Sequence, residues 1–172
     1  YLISLSVLFL LSLSFSLVAQ NSFFTLKSES AISLTNSKRV IIPNKYNTTQ
    51  ADINQLKNFL WSLPAEKNVG NRNAAPIMEL PMPDGSMAKF RVWESSVMEP
   101  GLAAKFPEMR TFAGQGITDR YATIRFDYNP YFGFSAQILS AATGRIFIDP
   151  YARGDINYYT SYFARDANRS GD

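Results

Sequence analysis

The side chains that could do chemistry here are carboxylates and hydroxyls, because the sequence contains no histidine and no cysteine. A Ser-His-Asp triad, a Cys–His pair and an ordinary zinc site are therefore excluded. Two carboxylates could still act on a glycosidic bond if the fold held them at the right separation. The carboxylates of the strand-rich region are Glu79, Glu94, Asp119 and Asp127. Any β-rich protein carries such residues, so surface and structural roles explain them better.

A second pair of carboxylates, Asp149 and Asp155, brackets a loop that contains Gly154. Such a pair could hold calcium through oxygen ligands, but the dense D-x-D-x-D pattern of a dedicated calcium site is absent. The same loop spells the integrin-binding tripeptide at Arg153-Gly154-Asp155. A turn explains the glycine equally well, and a three-residue match without structural context is weak.

The charge pattern argues against nucleic acid as a partner. The net charge is +3, from 17 basic and 14 acidic residues. The basic residues are scattered, and the longest run is Lys38-Arg39. A nucleic-acid-binding protein concentrates its positive charge on one patch or stripe. The absence of cysteine also excludes disulfides, so the hydrophobic core alone must stabilise the fold.

The pattern of apolar residues predicts an α+β domain over 51–163, mainly an antiparallel β meander with one N-terminal helix packed on it. Thr49 or Asp52 is expected to cap this helix, and Pro64 follows its end. One helical face is apolar, with Ile53, Leu56, Phe59, Leu60 and Leu63.

The predicted strands are short runs rich in β-branched and aromatic residues, bounded by turn residues. They lie at 77–82, 86–94, 121–128, 132–140, 145–149 and 157–163. A short helix is expected at 100–106, between proline residues at either end. The segment 20–50 is expected to be a polar stretch with one short strand at 40–42, and 164–172 a charged linker.

The last predicted strand is crowded with aromatic residues. One of its faces is expected to lie in the core. The other could be a docking surface, since tyrosine supplies large contact area at interfaces. This pattern leaves an exported β-rich binding module, for glycan or a surface protein, as an alternative function.

The first nineteen residues, YLISLSVLFLLSLSFSLVA, contain no charged side chain. An apolar run that ends in small residues is typical of a secretory signal peptide, and we expect cleavage between Ala19 and Gln20. A membrane anchor is the alternative, but five serines dilute the run and no basic cluster follows it. The chain starts at a tyrosine, so we expect the natural precursor to begin earlier. The predicted location is extracellular.

A series of sequence blocks carries a resemblance to a known family. The blocks are LPMPDGSMAKFRVWESSVMEPGLAAKFP (80–107), TFAGQGITD (111–119), ATIRFD (122–127), FGF (132–134), IFIDPY (146–151) and YYTSYF (158–163). Their order resembles the pro-region of secreted bacterial zinc metalloproteases of the reprolysin-like (metzincin) class. The resemblance covers about half of the chain.

The resemblance implies a role before catalysis. Such pro-regions are thought to assist folding of the protease domain and to keep it latent until cleavage. The partner would be the protease domain that follows in the precursor, with zinc held by HExxHxxGxxH there and no cofactor in this chain. Neither nucleic acid nor a stable membrane anchor is expected.

The absence of cysteine excludes latency through a thiolate on zinc. Inhibition could be steric, through a strand or loop in the cleft, or could use Asp149 or Asp155 on the zinc. Simple solvation of these two residues is the competing explanation. Maturation cleavage is expected at Arg165 or Arg169, because exposed polar linkers are preferred sites of nicking.

Overall fold

The computed structural model describes residues 22–34, 37–39 and 41–168. The predicted signal peptide with its Ala19–Gln20 cleavage point lies outside the described residues, and so does Arg169.

The described residues form a nine-stranded antiparallel sheet that curls until it nearly closes. Its strand order is β1-β2-β9-β8-β7-β6-β5-β4-β3. A short parallel bridge between Ser22 and Glu79 connects the segment before β1 to β3, at the other edge. The strands are β1 Phe24–Leu26, β2 Asn47–Ala51, β3 Ile77–Pro81, β4 Met87–Glu94, β5 Arg110–Gly116, β6 Thr123–Asn129, β7 Gly133–Ser140, β8 Gly144–Pro150 and β9 Tyr158–Phe163. The prediction of a mainly antiparallel sheet is confirmed.

One long helix packs against the inner face of this sheet. Helix α1 spans Ile53–Trp61, and the Asp52 side chain caps it by accepting a hydrogen bond from the Gln55 backbone N–H at 3.0 Å. Leu56 and Leu60 are fully buried in the same core cluster as the inward residues of the strands. Two strands precede α1, so it is not N-terminal to the sheet as predicted. The second helix, α2, has only six residues, Pro100–Lys105.

Strand β6 shows how the sheet separates its two faces. Ile124, Phe126 and Tyr128 are buried on the inner face, whereas the residues between them point outward and are exposed. This alternation follows from the two-residue period of a strand and was predicted from the sequence. Across the strands, the rings of Phe112 and Phe126 stack with centroids 5.0 Å apart.

Three strands were missed by the sequence analysis. Strands β1 and β2 lie in the polar segment 20–50, so the boundary expected at residue 51 does not separate two units. Thr48 and Thr49 are buried in β2, and such polar residues give no hydrophobic signal. Ile41 and Ile42, where we expected a strand, lie outside the nine strands. Strand β5 was missed because its Gly114 and Gly116 look like turn residues.

A polar clamp ties the segment before β2 to the loop after β8. The Arg39 guanidinium lies between the rings of Tyr46 and Tyr151, with its central carbon 4.8 and 4.2 Å from the two centroids. The Glu29 carboxylate accepts hydrogen bonds from both tyrosine hydroxyls and from Arg39, the latter at 2.8 Å. These hydrogen bonds, chiefly from Tyr151 and Tyr46, lower the pKa of Glu29.

Replacing Glu29 with glutamine should weaken this clamp. Because the folded-state pKa of Glu29 is depressed, its stabilisation is present above the unfolded pKa and is lost as pH falls through the folded value. We expect Glu29→Gln to cost about 1 kcal/mol at pH 7 and less near pH 3, measured by urea unfolding. Glu108→Gln is the control, since Glu108 is exposed and makes no hydrogen bond to the described residues. An equal loss at both pH values would contradict the charge-based explanation.

Candidate binding groove

An open groove crosses the outer face of the sheet over β5 to β8. It consists of two neighbouring cavities of about 510 and 470 Å³ that share Ser135 and Asp149. We call it the outer groove. Its polar floor is Thr111, Asp127, Ser135 and Asp149, and its apolar walls are Val97, Phe132 and Phe147.

The floor residues form one row because the strands are in register. Thr111 on β5 pairs with Asp127 on β6, and Asp127 pairs with Ser135 on β7. The Ser135 side chain hydrogen-bonds to the carboxylate of Asp149 on β8. Since neighbouring strands are about 4.8 Å apart, the Cα atoms of Asp127 and Asp149 are separated by roughly 10 Å.

The two carboxylates of the floor have different partners. Asp149 accepts a hydrogen bond from the Tyr162 hydroxyl at 2.7 Å. Burial raises the pKa of Asp149, and the hydrogen bonds from Tyr162 and Ser135 oppose that rise. Asp127 is exposed at the mouth, but the surrounding groove removes part of its hydration. This desolvation, together with the negative charge of Asp149, raises the pKa of Asp127.

A hydrogen-bonded loop forms one wall of the groove. Thr111 on β5 donates its hydroxyl to the Ser95 carbonyl at 2.8 Å and accepts from the Val97 N–H at 3.1 Å. The Ser95 hydroxyl bonds the Glu66 carboxylate at 2.7 Å and accepts from Arg125 at 3.1 Å. The loop is thus held while the Val97 side chain remains 72% exposed.

The structure separates the two aspartates that the sequence analysis grouped. Asp149 lies in the outer groove, whereas the Asp155 carboxylate accepts hydrogen bonds from the backbone N–H groups of Asn157 and Tyr158, at 2.7 and 3.3 Å. Gly154 has φ +78°, which this turn needs and which L side chains rarely adopt. Asp155 therefore shapes the loop, because its carboxylate accepts hydrogen bonds from residues that follow the tripeptide.

The other carboxylates considered as acid–base pairs are dispersed. Glu79 is buried and paired with Lys89 at 3.3 Å, and Glu94 contacts Arg110 at 3.4 Å. Asp119 accepts a hydrogen bond from the Ser140 hydroxyl at 2.6 Å. Only Asp127 joins Asp149 in the outer groove, a pairing that sequence reasoning missed. The outward alternation of β6 was the one available signal for Asp127.

One face of the aromatic last strand lies in the core, as expected, and the face considered as a docking surface is covered at Tyr162. Tyr159 is fully buried in the core. Tyr162, on the outer face, is only 2% exposed and lies against the Phe147 ring, with centroids 5.7 Å apart. Exposed aromatic side chains occur in turns instead, where Tyr121 is 85% and Phe132 55% exposed.

The expected linker begins with a short 3-10 turn, Ala164–Asp166. Arg165 is exposed, and its guanidinium lies 4.2 Å from the centroid of the Phe163 ring. The carbonyls of Asp166 and Asn168 accept hydrogen bonds from the backbone N–H groups of Asn44 and Ile42, at 2.8 and 3.2 Å. The residues around Arg165 are therefore held against the segment before β2.

Within residues 22–34, 37–39 and 41–168, no cluster of three or more acidic side chains is arranged to hold a metal ion. The same residues contain no helix with the length and apolar character needed to cross a membrane. No protein-family model matches the chain, and no curated protein or solved structure is significantly similar to it.

Proposed function

We propose that this chain is the pro-domain of a secreted zinc metalloprotease precursor, an α+β domain that assists folding of the protease and keeps it latent until it is removed. The observation that carries the proposal is that separate sequence blocks of the resemblance converge on the outer groove. Val97, Thr111, Asp127 and Asp149 come from four different blocks and line one cavity. Packing of the core would explain apolar residues that point inward from these blocks. It does not explain these four residues, which face outward. A shared binding surface accounts for them.

The geometry favours steric inhibition over a carboxylate on zinc. The Asp149 carboxylate lies on the face of a sheet and already accepts hydrogen bonds from Tyr162 and Ser135. The Asp155 carboxylate is engaged by its own loop. A residue that reaches a metal at the base of a cleft needs a projecting segment. The loop that carries Val97 lines the groove with a 72% exposed apolar side chain, so we assign the steric contact to it.

Inhibition of the separately produced protease domain in trans tests this proposal. We expect Val97→Asp to weaken inhibition at least tenfold, because it puts a charge at an apolar contact. Tyr121→Asp is the matched control, since Tyr121 is more exposed than Val97 but lies outside the outer groove. We expect Asp155→Ala to inhibit like wild type. Equal potency for Val97→Asp and the control would contradict the proposal, as would a gene without HExxHxxGxxH downstream.

Export and maturation belong to the same proposal. A signal peptide cut between Ala19 and Gln20 would send the precursor out, and cleavage at Arg165 or Arg169 would release the protease. Arg165 is exposed, but hydrogen bonds hold Asp166 and Asn168 in place, so cleavage at Arg165 would need local opening of this segment. N-terminal sequencing of the secreted precursor and of the mature protease checks both points.

A binding module for glycan or a surface protein is the second candidate. It is favoured by Phe132, an exposed aromatic ring that lines the same cavity as Asp149. Aromatic walls with a few polar groups are common in ligand sites. A stop codon directly after residue 172, together with saturable glycan binding that Phe132→Ala abolishes, would favour this candidate.

A further inference from the structure

Two carboxylates lie on the floor of the outer groove without a described cation in direct contact, although Arg125 and Arg153 line its two cavities. No ion pair joins Asp127 or Asp149 to any of the described lysines or arginines. Asp127 makes no side-chain hydrogen bond to the described residues either. We propose that the outer groove binds a protein segment that inserts an arginine or lysine side chain between Asp127 and Asp149. On the proposed function, on which this rests, the segment belongs to the downstream protease domain.

The cations nearest to the floor are engaged elsewhere or lie to one side. Arg125, two residues from Asp127 on the same face, also lines the first cavity, but its guanidinium donates to the Ser95 hydroxyl and forms no ion pair with Asp127. Arg110 contacts Glu94 and lies over the Trp61 ring at 4.7 Å. Arg153 lines the second cavity but makes no ion pair with Asp149. Neither carboxylate is thus in direct contact with a described cation, and Ser135 is the floor residue between them.

The cross-strand row contains another unmet polar group. Thr160 on β9 pairs directly with Asp149 and is 3% exposed. Its hydroxyl is buried and has no hydrogen-bond partner among the described residues. Thr160 lines neither cavity, so this hydroxyl is an unmet polar group on the strand beside Asp149 and not a contact of the proposed segment.

The walls indicate what surrounds the basic side chain. Val97 and Phe132 are exposed at 72% and 55%, and Phe147 is half-buried and lines the first cavity. Apolar residues on both sides of an arginine or lysine would cover these walls. Their contact would exclude water and strengthen the ion pairs on the floor. The partner is thus an apolar segment with one central positive charge.

Titrating the purified chain with a defined probe tests this inference without the protease. The probe is the capped peptide Leu-Phe-Arg-Phe-Leu, and its partner has citrulline, which is isosteric but uncharged, in place of arginine. Binding is followed through the carboxyl carbon NMR signals of the aspartates. We expect the citrulline peptide to bind at least tenfold more weakly. We also expect a loss of at least tenfold for Asp127→Asn and Asp149→Asn, and none for Glu108→Gln, which is exposed outside the groove.

Circular dichroism confirms that each variant is folded, so a loss of binding is assigned to the groove. Equal affinity for the two peptides, or unchanged affinity in Asp127→Asn, would overturn the inference. Tight, saturable calcium binding at the same carboxyl signals that displaces the peptide would assign the site to a metal and also overturn it. The probe assay contains no protease, so the two proposals can fail separately. If the probe binds but the chain does not inhibit the protease in trans, the proposed function is rejected and the inference about the groove is retained.

Discussion

Gly116→Ala is expected to destabilise the domain by about 3 kcal/mol, or to prevent folding. Gly116 ends β5, and a Cβ atom added there would overlap the backbone carbonyl oxygen of Asp119 in the following turn. That carbonyl cannot move aside like a flexible side chain. Two backbone hydrogen bonds hold this turn. The Gly116 N–H donates to the Ala122 carbonyl at 2.8 Å, and the Ala122 N–H donates to the Asp119 carbonyl at 3.1 Å.

Urea unfolding of Gly116→Ala against Gly70→Ala measures this effect. A Cβ at Gly70 meets no atom within 4 Å, so the control should change stability by no more than about 1 kcal/mol in either direction. Since small domains are stable by only about 5–15 kcal/mol, the Gly116 effect is a large fraction of the total. Similar stability for the two variants would show that the β5–β6 turn is not as close-packed as described.

Leu60→Ala should cost about 3 kcal/mol. Leu60 is fully buried where α1 packs on the inner face, and truncation would remove apolar contacts and leave a cavity. The sheet curls around this contact and cannot easily collapse into the gap. The same loss should accompany Leu56→Ala, one turn earlier on the same face.

Asn58→Ala is the control on the same helix. Asn58 is exposed, and alanine has the higher helix propensity, so stability should be unchanged or slightly higher. The two variants are compared by the urea concentration at the midpoint of unfolding. If the slope of the unfolding free energy against urea is unchanged, a shift of the midpoint is a change in stability. If Leu60→Ala unfolded at the same urea concentration as Asn58→Ala, α1 would not belong to the core.

The structure explains why particular residues occur in the blocks that carry the resemblance. In GQGITD, Gly114 and Gly116 lie in a strand, where Val92 and Ile124 leave no room for a side chain at Gly114. In ESSV, Ser95 links Glu66 and Arg125 and thereby holds one wall of the outer groove. The first motif stabilises the sheet, and the second shapes the candidate binding surface.

The sequence by itself determined which kinds of chemistry are excluded. It also determined the helix and strand segments in which apolar residues recur with a clear period. The absence of histidine and cysteine removes thiol and imidazole chemistry whatever the fold. The apolar stripe of α1, its cap at Asp52 and the alternation of β6 depend only on neighbouring residues, so they were predicted. Strands β1, β2 and β5 lack that local signal and form through pairing with distant segments.

Only the tertiary structure decided which polar residues meet. Asp127 and Asp149 lie on strands separated by β7, and they share a cavity because the register turns both side chains to the outer face. A shift of one residue in either strand would turn that side chain inward. The burial of Tyr162 against Phe147 depends on the same pairing of β8 with β9. The residue types therefore determined which chemical groups are present, and the strand register determined which of them lie together in the outer groove.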